Sequence, residues 1–249
     1  MTTRRVAILG ATRGMGRSLA RRFVERGDWV AVLGRDLDEL QKSQADLEAR
    51  GAPGVRVVSV KCDLEAPDTF RASLEAAEQG LEGLDTVVVT AALFATQEKL
   101  EQDPALAHKV LTVDFANTVV FCEEARKKLL LRGKGTLCVF SSVAGDRARK
   151  PVVLYGAAKA GLSAYLEGLD HKYRAQGLTT ICVKPGFVKT AMTSGLPVPP
   201  FAGDPDEVAQ IVIEGIDAGT PIIYAPRIWQ AVMTAIKAMP RFVMRRAKF

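Results

Sequence analysis

The chain has 249 residues, of which 48% are hydrophobic and 25% charged, with a formal net charge of +6. This length and composition predict one large α/β domain with a buried core and leave no room for a second full domain. The first apolar strand begins at Val6 and no apolar run approaches the roughly 20 residues of a membrane span, so we expect a cytoplasmic protein. No metal-ligand spacing joins the four cysteines, so we predict no metal site and a reducing compartment.

Apolar runs of the β type alternate with helical stretches along the whole chain. We predict strands at 5–10, 29–34, 55–61, 85–90, 135–141, 178–184 and 221–225, and helices at about 36–50, 67–79, 103–131 and 152–176. Asp204 and Pro205 suit the N-cap and first position of a further helix. This alternation predicts a single-domain α/β protein with a doubly wound parallel sheet, a Rossmann-like fold.

Three glycines, Gly10, Gly14 and Gly16, lie in the turn between the first strand and the first helix. In a doubly wound sheet this turn directs backbone N–H groups and a helix N-terminus at a pyrophosphate, and glycine permits close approach. We therefore predict that a dinucleotide binds here.

Tyr155 and Lys159 lie four residues apart in the predicted helix 152–176, so they share one face. An ammonium beside the phenol is expected to lower its pKa from about 10 towards working pH, as a general acid/base requires. Ser142 lies thirteen residues before Tyr155, and its hydroxyl could hold a substrate oxygen. Tyr–Lys pairs at this spacing are also common on helix surfaces, so the order of the motifs carries the argument.

That order resembles the short-chain dehydrogenase/reductase family over nearly the whole chain. The matching segments are Gly10-Ala-Thr-Arg-Gly-Met-Gly16, Cys62-Asp63-Leu64, Ser141-Ser142-Val-Ala-Gly145, Tyr155 to Lys159 and Pro185-Gly186-Phe-Val-Lys-Thr190. The resemblance implies that Tyr155 donates the proton, Lys159 tunes Tyr155 and holds the nicotinamide ribose, and Ser142 anchors the substrate oxygen. It also implies these cofactor contacts: Gly10, Thr12, Arg13, Gly14, Met15, Gly16, Arg35, Asp63, Ala91, Tyr155, Lys159, Pro185, Gly186, Val188 and Thr190.

Two positions depart from the family pattern. Many members have Asn-Asn-Ala-Gly after the fourth strand, whereas this chain has Val89-Thr90-Ala91-Ala92. The fourth catalytic residue of the family, an asparagine, aligns best with Asp114, and Asn117 is a less favoured substitute. We include Asp114 among the catalytic residues, where it would order a water beside Lys159. An acid at this position puts the proton relay in doubt more than the reaction class.

The end of the second strand indicates which nicotinamide cofactor is used. NAD-preferring enzymes carry a carboxylate there for the adenosine ribose hydroxyls, but this chain has Gly34 followed by Arg35. Arg13 in the glycine turn supplies a second cation, and two guanidiniums suit a 2′-phosphate. Asp36 is an alternative acid, although a helix N-cap is expected at its position. The sequence therefore favours NADP(H) over NAD(H).

The net charge is concentrated at the C-terminal end. Segment 227–249 has six basic residues, Lys248 among them, and no acidic ones, with apolar residues at helical spacing. We predict a basic amphipathic helix that follows the domain 1–226. Two roles are open for it: packing on its own domain or on another subunit, and peripheral contact with an anionic membrane surface. Nucleic acid is not an expected partner, because no stacking aromatics or recognition motif accompany the charge.

Three functions remain open. The first is NADP(H)-dependent reduction of a lipid-linked or otherwise hydrophobic ketone, because 185–200, 224–226, 239–241 and the charged loop 146–150 more weakly resemble polyprenyl-phosphoryl keto-pentose reductases. In this hypothesis the loop contacts an anionic substrate group, although a solvated loop explains it as well. The second is a soluble carbonyl or 3-oxoacyl reductase that uses the tail for oligomerisation, and the third is a non-catalytic NADP(H) sensor or scaffold. We expect a homodimer or homotetramer. His108 and His171 lie in no nucleophile or metal motif, which argues against a hydrolase.

Overall fold

The computed structural model describes residues 3–247 of the chain. Within them, one sheet contains β1 (Arg5–Leu9), β2 (Trp29–Gly34), β3 (Val57–Lys61), β4 (Thr86–Val89), β5 (Gly135–Phe140), β6 (Leu178–Pro185) and β7 (Ile222–Ala225). The strand order is β3-β2-β1-β4-β5-β6-β7, and all neighbouring pairs are parallel. The order reverses between β1 and β4, so the doubly wound sheet predicted from the sequence is confirmed, with strand bounds that differ by at most two residues.

The helices in the described part of the chain are α1 (Gly14–Glu25), α2 (Leu37–Arg50), α3 (Phe70–Gly80), α4 (Gln97–Gln102), α5 (Pro104–Leu111), α6 (Thr118–Leu131), α7 (Val153–Tyr173), α8 (Pro205–Ala218), α9 (Ile228–Ala238) and α10 (Arg241–Arg246). A π-helical turn, Thr112–Asn117, joins α5 to α6, so the predicted helix 103–131 is not uniformly α-helical. The short helix α4 was not predicted. Asp204 caps α8 as expected, since its side chain accepts from the Asp206 N–H at 2.8 Å.

Helices cover both faces of the sheet, as a parallel sheet requires. Helices α1, α2 and α8 pack on one face through residues such as Phe23, Leu47 and Val212. Helices α3, α6 and α7 pack on the other through residues such as Phe121 and Leu162. These side chains are almost fully buried, and their contacts hold the carboxyl ends of the strands in fixed positions.

The helical run Pro104–Leu131 is long and apolar enough to cross a membrane by length and composition alone, contrary to the expectation that no segment would be. It nevertheless has a clear place in the fold. Its Phe121, Cys122, Ala125 and Leu129 are fully buried in the core beneath the sheet. Core helices of globular domains commonly meet the same criterion, and we assign this run to the core.

The C-terminal segment forms two helices where one was predicted, because Pro240 lies between them and cannot continue α9. The apolar side of α9 packs against the domain: Trp229, Met233 and Ile236 are at most 9% exposed and contact Val143, directly after Ser142. Their apolar surface is therefore already covered by protein. Lys248 lies outside the described residues.

Candidate active site

The glycine turn is held tightly against the end of β4. A Cβ atom at Gly10 would lie 2.6 Å from the Ala91 nitrogen, and one at Gly16 would lie 2.3 Å from the Gly10 oxygen. The Thr90 hydroxyl lies 3.1 Å from both the Leu9 and Gly10 carbonyl oxygens, to which it can donate. Thr90, noted in the sequence only as a departure from the family, thus fastens this turn.

A cleft of about 500 Å³ opens at this edge of the sheet. It is lined by Gly10, Thr12, Arg13, Gly14, Met15, Gly16, Gly34, Arg35, Asp36, Glu39, Cys62, Asp63, Leu64, Glu65, Thr90, Ala91, Ala92, Leu93, Phe94, Val113, Thr190, Ala191 and Met192. Ten of the predicted cofactor contacts are therefore brought together. The glycines leave room that a Cβ would fill, beside the N-terminus of α1, so the cleft fits the pyrophosphate of a dinucleotide.

Cations flank the cleft where the adenosine half of a dinucleotide would lie. Arg13 and Arg35 are 67% and 62% exposed at their side chains and make only loose ion pairs, to Glu39 at 3.5 Å and to Glu65 at 3.7 Å. Arg17, which the sequence analysis missed, is 3.7 Å from Glu39. Glu39 was also missed as a lining residue.

Asp36 is engaged elsewhere. Its Oδ1 accepts from the Asp38 and Glu39 N–H groups at 3.1 Å each, so it caps α2 as the sequence predicted. Asp63 makes a comparable local turn, because its side chain accepts from the Glu65 N–H at 3.0 Å. Both side chains nevertheless border the cleft.

Lys159 occupies the centre of the predicted catalytic group and is 1% exposed. Its Nζ donates to the Phe140 oxygen at 3.3 Å and lies 5.7 Å from the centre of the Tyr155 ring. Asp114 Oδ2 is 3.9 Å away. The structure thus places Asp114, Tyr155 and Lys159 together where β5 ends.

Ser142 joins this group, whereas the neighbouring Ser141 does not. The Ser142 hydroxyl lies close enough to the Tyr155 phenol to lower its pKa, and it accepts from the Ala144 N–H at 3.1 Å. Ser141 is buried, where its hydroxyl lies 2.9 Å from the Lys159 oxygen and 2.7 Å from Ser163 Oγ. Ser141 therefore has a structural role in fastening β5 to α7.

The expected lowering of the Tyr155 pKa is not seen in this structure. Burial raises the pKa of the Tyr155 phenol, the Asp114 carboxylate raises it further, and the hydrogen bond with Ser142 lowers it. The Lys159 ammonium is directed at Phe140 and Asp114, which offset its charge near the ring. The phenol is therefore protonated at neutral pH, which is the form that donates a proton, and the raised pKa makes it a weaker acid than an exposed tyrosine.

Asp114 is fully buried in the π-helical turn, a feature that often marks functional sites. Its Oδ1 accepts from the Leu93 N–H at 2.7 Å, while Oδ2 has no hydrogen-bond partner. Burial raises the pKa of this carboxyl, and Lys159 and the Leu93 N–H partly oppose that rise. Asn117, the alternative, instead donates to the Leu64 oxygen at 2.6 Å and takes no part in the group.

Only part of the segment after β6 borders the cleft. Thr190 borders the glycine turn, where its methyl carbon would lie 3.3 Å from a Cβ at Gly14. Pro185 ends β6, and Val188 is buried in a bridge with Gly203. Pro185, Gly186 and Val188 do not line the cleft, unlike Thr190.

Two aromatic residues near the site had no recognisable signal in the sequence. Trp229 of α9 covers Gly186 so closely that a Cβ there would lie 2.0 Å from its Nε1. Phe94 packs edge-to-face on Tyr155, with ring centres 5.2 Å apart. Both contacts join segments that are far apart in the chain, so no local sequence pattern predicts them.

Comparisons with known proteins agree with this geometry. A model of the short chain dehydrogenase family matches residues 4–197. An uncharacterised oxidoreductase of Mycobacterium tuberculosis is 33% identical over 242 residues, which cover 97% of this chain and 96% of the relative. A 3-oxoacyl-[acyl-carrier-protein] reductase of Aquifex aeolicus is 27% identical over 220 residues, 83% of this chain and 87% of that protein. A solved actinorhodin polyketide ketoreductase with NADPH, 23% identical, shares the fold with a TM-score of 0.79 over 90% of this chain and 97% of that one.

Proposed function

The chain belongs to the short-chain dehydrogenase/reductase family, an oxidoreductase with a nicotinamide cofactor, and from this premise we propose that it reduces a ketone to a secondary alcohol with NADPH. The observation that carries the proposal is the grouping of Ser142, Tyr155 and Lys159 where β5 ends, at the edge of the sheet that also holds the glycine turn.

The residues divide the work of reduction between them. A bound nicotinamide supplies the hydride that the carbonyl carbon accepts. The Tyr155 phenol, which is protonated at neutral pH, gives its proton to the carbonyl oxygen. The Ser142 hydroxyl, close enough to bond Tyr155, holds that oxygen in place, and Lys159 balances the negative charge left on the phenol.

The preference for NADPH rests on the charge around the adenosine half of the cleft. Gly34 presents no side-chain acid, Asp36 is used as a helix cap, and Arg13 and Arg35 are exposed with loose ion pairs. A 2′-phosphate would replace these weak pairs with charge-assisted hydrogen bonds. Glu39 argues in the opposite direction, but its carboxylate already faces Arg13, Arg17 and Lys42.

For the substrate we propose a hydrophobic ketone, and the more specific candidate is a ketone linked to a lipid. Leu93, Phe94 and Met192 give one end of the cleft an apolar wall. A soluble 3-oxoacyl reductase is the second candidate, supported by the relative from Aquifex aeolicus. Intact Ser142, Tyr155 and Lys159 argue against a non-catalytic sensor.

The test measures the oxidation of NADPH and of NADH, followed by the absorbance of the reduced nicotinamide. A panel of ketones is assayed with and without anionic liposomes. The panel contains acetoacetyl thioesters, long-chain methyl ketones and a polyprenyl-phosphate keto-sugar. We expect NADPH-dependent turnover of at least one hydrophobic ketone and little with NADH. Turnover with NADH alone would contradict the cofactor proposal, and no turnover of any ketone would contradict the reductase proposal.

A further inference from the structure

The charged loop 146–150 lies between Ser142 and Tyr155 and is fixed against the catalytic helix. A Cβ at Gly145 would lie 2.6 Å from the Lys159 carbonyl carbon, so the start of the loop packs directly on α7. The end of the loop leads into α7, where Gln97 accepts from the Leu154 N–H at 3.1 Å. The loop therefore has a defined position next to the residues that would hold the substrate carbonyl.

Three of the four charged residues in this loop have protein partners. Asp146 pairs with Lys184 at 2.5 Å and accepts from the Tyr224 hydroxyl at 2.7 Å. Arg147 donates to the Met239 oxygen at 2.8 Å, and Lys150 donates to the Arg245 oxygen at 2.6 Å. These bonds fasten the loop to β6, β7 and the two C-terminal helices, which gives them a structural explanation.

Arg149 has no such partner among residues 3–247. Its side chain is half-buried, its Nε is buried without a hydrogen bond, and no described carboxylate lies within 4 Å. Burial lowers the pKa of this guanidinium, as expected where a charge loses water and gains no acid in return. A partly buried guanidinium with an unpaired Nε costs stability, so its presence in a loop next to the catalytic helix suggests that it binds an anion.

We propose that Arg149 binds an anionic group of the ketone substrate, a phosphate or a carboxylate. This inference rests on the proposed function and names a feature of its substrate. Arg149 does not line the cleft that fits the dinucleotide, which separates it from the cofactor phosphates. A guanidinium can hold either group with two parallel hydrogen bonds. A phosphate and a carboxylate share the feature that it recognises, which is two neighbouring anionic oxygens.

The first experiment compares ω-carboxylated methyl ketones of increasing chain length with their methyl esters. The wild type should show a kcat/KM for at least one carboxylate that is about tenfold to a hundredfold above its ester, the usual worth of a charge-assisted hydrogen bond. Arg149→Gln should remove that preference and leave kcat/KM for the ester within about twofold, a margin well below one such bond. Arg71→Gln is the matched control, because Arg71 is an exposed arginine on α3 that pairs with Glu75.

A preference that persists in Arg149→Gln, or a wild type that reduces esters and carboxylates equally well at every chain length, would overturn the proposal. Either result leaves ketone reduction itself intact. If no ketone were reduced at all, the proposed function would fail separately, and the second experiment below would still decide the role of Arg149.

The second experiment measures thermal unfolding of the full chain with saturating NADPH, with and without inorganic phosphate. Arg149→Met should unfold at a higher temperature than the wild type without phosphate, because it removes an uncompensated buried cation. Phosphate should raise the Tm of the wild type and of Arg71→Gln, and raise that of Arg149→Met much less. Equal phosphate shifts in all three proteins would contradict an anion site at Arg149.

Discussion

Asp114 is the residue at which the candidate site differs most from the family pattern. Its carboxyl is fully buried, one oxygen has no hydrogen-bond partner, and the nearest cation is Lys159 at 3.9 Å. The effect of burial on its pKa outweighs the attraction of Lys159, so ionisation of this carboxyl is less favourable in the folded chain than in water. When Asp114 is ionised, its negative charge also raises the pKa of Tyr155.

Replacing this acid should change how stability depends on pH. Because the folded-state pKa of Asp114 is raised, its favourable contribution is complete below its ordinary pKa of 3.8 and is lost as pH rises through the folded value. Asp114→Asn removes that loss. The free energy of unfolding of the variant should therefore rise relative to that of the wild type as pH rises, by up to about 1–3 kcal/mol, the cost of one unsatisfied buried polar group. Urea unfolding between about pH 5 and 8, the range in which folded proteins are usually most stable, measures the difference in unfolding free energy between the two proteins.

Glu167→Gln on α7 is the control, because Glu167 is exposed and makes no ion pair among the described residues. Its difference from the wild type should stay constant with pH. If the advantage of Asp114→Asn shrank as pH rose, the burial argument for Asp114 would be incorrect.

At the scale of elements, the turn after β1 and the end of β2 together select the cofactor. Gly34 offers no side chain and Asp36 caps a helix, whereas Arg13 and Arg35 are exposed cations at that end of the cleft. Both guanidiniums make pairs of 3.5 Å or longer, so little interaction is lost when they turn towards a phosphate.

The double substitution Arg13→Ala and Arg35→Ala should therefore weaken NADPH binding by about 1.5–3 kcal/mol for each charge-assisted bond removed. NADH binding should change little, since NADH has no 2′-phosphate. Titration of the intrinsic protein fluorescence gives both dissociation constants, with Arg71→Ala as the control. Equal losses for NADPH and NADH would argue against a 2′-phosphate role for the two arginines.

The regular elements could be predicted from the sequence because each has a local cause. The buried parallel strands appear as continuous apolar runs, and the glycine turn has a fixed place after β1. The π-helical turn at Asp114 has no comparable local pattern and depends on how α5 and α6 pack on α7. Trp229 packs on Gly186, and loop 146–150 forms hydrogen bonds with the C-terminal helices. These contacts join distant parts of the chain, so composition cannot predict them.

At the scale of the whole molecule, the C-terminal helices have two distinct surfaces. Trp229, Met233 and Ile236 face the domain, so the packing hypothesis accounts for the apolar side of α9. Phe242 is 61% exposed and Val243 is 37% exposed on α10. Among residues 3–247, Lys237, Arg241, Arg245 and Arg246 make no ion pair, and we propose that this smaller surface touches anionic lipid.

Charge reversal tests that membrane proposal without disturbing the buried side of α9. Arg241→Glu, Arg245→Glu and Arg246→Glu together should abolish binding to phosphatidylserine liposomes at low salt, because each cation near such a surface is worth about 1 kcal/mol. Co-sedimentation measures the bound fraction, and uncharged phosphatidylcholine liposomes are the control. Binding unchanged by the reversal, or absent in the wild type, would leave packing as the role of the tail.

Three exposed apolar side chains on α6 and the adjoining π-helical turn bear on the oligomeric state. Phe115, Val120 and Leu131 are 38%, 44% and 87% exposed. We propose that a second copy of the chain covers them in a homodimer or homotetramer. Val120→Asp should shift the sedimenting species towards the monomer, whereas a wild type that is already monomeric would contradict this assembly.

We propose above that Tyr155 is the proton donor of an NADPH-dependent ketone reductase. The most direct test is Tyr155→Phe, compared with Tyr165→Phe on the same helix, where the lost hydroxyl only bonds Glu123 at 2.8 Å. We expect kcat for the ketone found in the panel to fall by about 10² to 10⁴ in Tyr155→Phe, NADPH binding to be kept, and Tyr165→Phe to stay near the wild type. Turnover by Tyr155→Phe at the wild-type rate would show that Tyr155 is not the proton donor.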